Sequence, residues 1–211
     1  MPHIPTPRTR TPHSLRSVAA IAVLLALIAA GCAAASFDPT GPCKADGAIP
    51  GAYPELEAAV PKSFRGGPPQ QLDSGRTCTA EGLSTLAGHG VTELRFAGGT
   101  WETGTDSGLS LAVFSVASGP ALDPAWLTEF YEAGARSGKN VTSVNTSTYV
   151  VPGGPPGSRI DVLNGESYQT LVIWARDGRV AVALVGSFIR EIQTREAHDR
   201  VVNEAVAAFG V

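Results

Sequence analysis

Acidic residues are missing from the start of this 211-residue chain: no Asp or Glu precedes Asp38, while Arg8, Arg10 and Arg16 all fall in that stretch. Methionine is reduced to one residue and aromatics to 7%, against 24 Gly and 16 Pro, which argues for a turn-rich domain rather than a helical bundle. There is no HExxH, no GxSxG and no CxxC, so the zinc-protease, nucleophile-elbow and dithiol signatures are all absent. Beyond residue 31 the only histidines are His89 and His198, neither beside a local catalytic motif, and both read as surface residues. The expectation is therefore no catalytic residue, no metal site and no cofactor.

What the N-terminus does contain is an unbroken apolar run over residues 18–30, between the arginines and a small-residue ending at Gly31 and Cys32. Basic flank, short apolar core and small-residue close are the parts of a secretory signal peptide, here residues 1–31. The segment Ile28-Ala29-Ala30-Gly31-Cys32 resembles the lipobox of bacterial lipoproteins, with Ala at 29 where the family usually has Leu. That resemblance implies a lipid on the Cys32 thiol, cleavage before it, and a domain held at the extracytoplasmic face of the cell membrane. Two other readings stay open. Cleavage within residues 33–36 would release the protein, and extension of the apolar run to Ala35 would reach the roughly 18 residues of a spanning helix.

Three cysteines are awkward outside the cell unless one is acylated. With Cys32 so assigned, Cys43 and Cys78 form the expected disulfide of an exported chain. Loss of residues 1–31 removes three Arg and no acid, taking the net charge from -3 to -6. Scattered charge of that sign suits no phosphate backbone, so nucleic acid is not an expected partner.

Residues 32–52 are small and rich in Pro and Gly, and read as a lipid-attached linker. Residues 53–211 read as a single α+β domain. Short helices are expected at 53–60 and 80–87, strands at 91–97 and 109–116, and a helix opened by Asp123-Pro124. Residues 140–151 and 159–163 follow as strands. The Asp177-Gly178 pair then turns a hairpin between 168–175 and 180–188, and a helix runs over 195–209. Strand 109–116 is apolar on both faces and belongs near the middle of a covered sheet. Ala181 and Ala183 leave one side of the second hairpin arm small enough for a helix to pack closely. The expected class is a mostly antiparallel sheet packed against helices. The segments Leu171-Val-Ile-Trp174 and 179–185 (RVAVALV), in this element order, resemble the PsbP-like fold of small lipoproteins. That resemblance implies a binding or assembly module.

Residues 134–140 (GARSGKN) have one residue too few between their glycines for a phosphate loop, and Asn140 stands where Ser or Thr would hold Mg²⁺. Glu81, Glu93, Glu102, Asp106 and Asp161 read as solvated surface carboxylates. Trp101, placed in a glycine-rich loop over 98–104, joins Trp174 and Tyr131 as candidates for lining an apolar ligand site. The leading expectation is a non-catalytic envelope lipoprotein whose domain binds a small hydrophobic molecule, a peptide or a protein partner. The rivals are an exported hydrolase with a spatially assembled site and a purely structural envelope protein.

Overall fold

Aliphatic strands with little polar alternation must be covered on both faces, which places them inside a sheet. Two such strands, β4 (Ser107–Val116) and β8 (Arg179–Phe188), pair antiparallel at the centre of the computed structural model, which describes residues 37–104, 107–119, 121–189 and 194–210. Outward from β4 lie β3 (Leu94–Gly104), β2 (Gln71–Thr77) and β1 (Gly47–Ile49). Outward from β8 lie β7 (Ser167–Arg176), β6 (Gly157–Asn164) and β5 (Val141–Tyr149). The order of the eight-stranded sheet is β1-β2-β3-β4-β8-β7-β6-β5, antiparallel throughout. Two sequential meanders thus meet along a β4–β8 seam, and the mostly antiparallel α+β class is observed.

Helices cover both faces. On one, α1 (Pro54–Glu57) and α5 (Arg195–Ala207) bury Leu56, Val202, Ala205 and Val206 against Ala181, Ala183, Val185 and Val172. The two alanines of β8 let α5 approach closely, and each Val it buries adds roughly 1.5–3 kcal/mol. On the other face, α2 (Ala80–Leu83), α3 (Thr85–Gly88) and α4 (Pro124–Arg136) bury Leu83, Leu86 and Leu127 against Leu94, Phe114, Ile173 and Val182. Three of the helices are capped by side chains: Thr79, Asp123 and Thr194 accept from the backbone N–H of Gly82, Ala125 and Ala197. The Asp177-Gly178 turn has φ of 49° and 73°, the left-handed pair that its hairpin requires. The helix expected over 80–87 is instead two pieces, broken at Ser84, whose φ is 45°.

The signal-peptide and Cys32 readings lie outside the described residues. Cys43 and Cys78 are bridged, with Cα atoms 6.1 Å apart. From residue 37 onward the stretch expected as a linker is docked on the sheet. Gly47–Ile49 pairs with β2, and Arg76 donates to the carbonyls of Asp38 and Gly41. Asp46 accepts from the N–H groups of Cys78 and Thr79 and from the Thr79 hydroxyl. Among the described residues no helix is long and apolar enough to cross a membrane.

Candidate functional site

The densest cluster of reactive side chains lies where the first turns of α5 cross β6, β7 and β8. His198, expected at the surface, is fully buried there. Its Nδ1 is 3.0 Å from Ser187 Oγ and its Nε2 is 2.9 Å from Thr170 Oγ1, while Thr170 Oγ1 donates to Asp161 at 2.6 Å. Thr170 has one proton, given to the carboxylate, so it accepts from Nε2–H and leaves Nδ1 to accept from Ser187. Every bond then points the same way, from Ser187 through His198 and Thr170 to Asp161.

Asp161, expected to be solvated, is the end of this chain and the hub of an ion-pair array. Arg159 holds it through Nε at 2.9 Å and Arg195 joins it through Nη2, while Arg159 Nη2 also reaches Asp199 at 2.5 Å. Burial opposes ionisation of Asp161, but the hydrogen bonds from Arg159 and Thr170 and the two guanidinium charges outweigh it and lower its pKa. Burial, helped by Arg195 and Arg159, pushes His198 down to about 4, against the smaller pull of Asp199 and Asp161. The imidazole is therefore neutral near neutral pH. Arg195 lies 5.2 Å over the Tyr168 ring and so seals the outer side of the array. Ser187 is only 2% exposed and Thr170 is fully buried, so a substrate carbonyl has no route to the hydroxyl. Chemically the array can hold α5 on the sheet and fix its register.

The opposite face of the sheet carries the more open feature. On the α5 side, every residue of β3, β4 and β8 between Ala97 and Trp101, Leu109 and Val113, and Ala181 and Ser187 that faces the helix is buried. On the other side, Gly98, Thr100, Gly108, Ala112 and Leu184 of these same central strands are part-exposed, while Ser110, Val182 and Gly186 among them are buried. Register sets them in rows: Gly98 beside Ala112, then Thr100, Ser110 and Leu184, then Glu102, Gly108, Gly186 and Gln169. A Cβ on Gly98 would meet only the neighbouring strand within 4 Å, the Ala112 Cβ at 3.5 Å and the Leu111 carbonyl at 3.7 Å, which are ordinary contacts. The helices on this face cover the end of these strands that holds Leu94, Phe114 and Val182, and α4 extends over β5, β6 and β7 and touches α3. The result is a trough along the centre of the sheet with a floor of small residues.

Its two ends differ in chemistry. At one end the Phe114 ring meets Phe96 and the edge of Tyr131, each at 6.2 Å, and Tyr131 also meets Phe130 at 5.3 Å. Burial raises the Tyr131 phenol above its ordinary pKa, so it stays neutral. At the other end Gln169 is 4% exposed, and its Oε1 has no hydrogen-bond partner. A buried acceptor without a donor costs about 1–3 kcal/mol.

The three sequence candidates are not brought together. Trp101 lies in β3 rather than in a loop, buried on the α5 face, with its Nε1–H donating to the Gly67 carbonyl at 3.0 Å. Gly99 is small because this ring lies over it: a Cβ there would come 2.8 Å from Trp101. Trp174 shares that face and meets the edge of Phe209 at 5.1 Å. The two tryptophans are three strands and four residues apart, about 14 Å across the sheet and about 13 Å along it. Tyr131 is on the opposite face, at the trough. His89, the other expected surface histidine, stacks on Trp126 at 4.9 Å and bonds Glu129 at 2.7 Å, so it ties α3 to α4. Among the described residues no three His, Cys, Asp or Glu gather as metal ligands.

The trough residues carried a sequence signal of their own. Glycines inside strands mark places where something approaches the backbone closely. Gly98, Gly108 and Gly186 are such residues, Gly108 and Gly186 facing each other across β4 and β8 and Gly98 lying two rows away. No protein-family model matches this chain, and no curated protein matches it.

Proposed function

We propose that this chain is an exported lipoprotein, anchored through Cys32 at the outer face of the cell membrane, whose domain binds a small amphipathic molecule without chemical conversion. The observation that carries the binding reading is the one-sided exposure of the central strands: solvent reaches Gly98, Ala112 and Leu184 on one face, whereas the same strands are closed on the other. Aromatic rings at one end and the accessible Thr100 and Glu102 at the other suit an apolar body with one polar group. The antiparallel sheet with helices on both faces also supports the PsbP-like resemblance. The basic flank, the apolar run and the segment ending at Cys32 support the anchor.

N-phenyl-1-naphthylamine, two aromatic groups joined through an N–H, is a suitable probe. Saturable fluorescence enhancement is expected for the natural domain. Gly98→Leu, whose Cβ would make only ordinary contacts on this part-exposed face, is expected to weaken binding about tenfold or more while leaving thermal unfolding unchanged, because it fills apolar volume the probe needs. Absence of saturable binding, or equal binding by the Gly98→Leu domain, would remove this reading.

An exported hydrolase is the second reading, favoured by the aligned chain from Ser187 to Asp161. The burial of Ser187 opposes it. A fluorophosphonate probe is expected to leave Ser187 unmodified in the folded protein. Stoichiometric labelling that disappears in Ser187→Ala would reverse the order of the two readings.

A further inference from the structure

We propose that the β1 edge of the sheet faces the bilayer and holds the domain edge-on to the lipid surface. The inference rests on the Cys32 anchor proposed above and adds to it an orientation. A lipid-attached domain on a long free spacer has no preferred face toward its membrane. Here the chain leaves little spacer. Four residues separate Cys32 from Phe37, so the two Cα atoms are at most about 18 Å apart.

From Phe37 onward the chain is clamped to one edge of the sheet. The Phe37 ring covers Gly47, where a Cβ would come within 2.7 Å of it, and Arg76 stands 5.9 Å over that ring. Arg76 also holds the carbonyls of Asp38 and Gly41, and the Cys43–Cys78 bridge and the Asp46 bonds fix the rest of the segment. The anchor therefore acts on β1 directly. This edge exposes Lys44 and Ile49, a cation and an aliphatic group suited to the headgroup boundary of a bilayer. Ile49 is 45% exposed, and the other exposed large hydrophobic residue among those described, Val150, follows β5 at the opposite edge. Seven strand spacings lie between the two edges, about 34 Å along the sheet.

The test uses the full chain made in a bacterial host and reconstituted in vesicles carrying headgroup nitroxide lipids. Ile49→Cys and Val150→Cys variants each receive one fluorescent label, with the native disulfide kept oxidised. Quenching is expected to be at least about threefold greater at position 49, because the other label stands a sheet-width farther from lipid. Inserting twenty Gly/Ser residues between Ser36 and Phe37 gives a tether of about 25 Å r.m.s. and is expected to bring the two labels to equal quenching. Equal or reversed quenching in the uninserted protein, with acyl mass on Cys32 confirmed by intact mass, overturns the orientation and leaves the anchor standing. Absence of acyl mass overturns the anchor, and the orientation falls with it.

Discussion

Opening the Cys43–Cys78 bridge is expected to lower the free energy of unfolding by about 4 kcal/mol, from the loop-entropy relation for a 35-residue separation. The measurement is urea unfolding of the oxidised domain against Cys43→Ser/Cys78→Ser, with equal m-values confirming that one transition is compared. The loss should also have a place in the structure. Cys78 sits between the end of β2 and the Thr79 cap of α2, and its N–H donates to Asp46. Burial resists ionisation of Asp46, yet the Thr79 hydroxyl and the Cys78 and Thr79 N–H groups outweigh it and hold its pKa low. The bridge and this carboxylate therefore close the same corner. Without the bridge, amide exchange should rise first over residues 37–49, while the β4–β8 seam exchanges only by global unfolding. A change under about 1 kcal/mol, or exchange that rises uniformly, would mean that the side-chain contacts of Arg76 and Asp46 hold the segment unaided.

Much of the frame was legible from local signals. Asp123-Pro124, Asp177-Gly178 and the paired alanines of β8 each have a short-range physical meaning, and each element formed where they placed it. The sites were not legible, because they depend on contacts between elements distant in sequence. His198 and Asp161 are polar in any local window, and both looked like surface. Their burial comes from α5 crossing β6 and β7, which brings together residues 37 positions apart with complementary hydrogen bonds. Trp101 was misplaced for a different reason. Gly98 and Gly99 read as loop, whereas one makes room for the Trp101 ring and the other forms the trough floor. Residues 37–52 had the composition of a spacer; the Cys43–Cys78 bridge was legible from the cysteine count, but composition does not reveal that a three-residue strand and the contacts of Arg76 and Asp46 dock the rest.

Acidification from pH 7 to pH 4 is expected to cost about 3 kcal/mol of stability through His198 alone, at about 1.4 kcal/mol per pH unit. The sign follows from where the proton binds first. Burial holds the folded imidazole at about 4, below its ordinary 6.5, so between these values the unfolded chain carries a proton that the folded chain lacks. Stability therefore rises with pH across that window, is fully present above 6.5, and the loss levels off below 4, where both states are protonated. Protonation also breaks the order of the bonds. Nδ1–H would need Ser187 to accept rather than donate, and the new charge would stand beside Arg195 and Arg159 in a site that excludes water. Asp161 contributes with the same sign but lower on the scale: its lowered pKa stabilises the fold above 3.8, and that contribution is lost as pH falls below it. The comparison that separates the two is His198→Gln, which keeps a polar group between Ser187 and Thr170 but cannot titrate. Urea midpoints for this variant should stay level between pH 6.5 and 4.5 while those of the natural domain fall, and the two curves should run parallel only in stronger acid. If the variant follows the natural protein through the upper window, the acid sensitivity lies elsewhere. His198 would then have to be accessible to protons in the folded state, which would reopen the route to Ser187 that its burial closes.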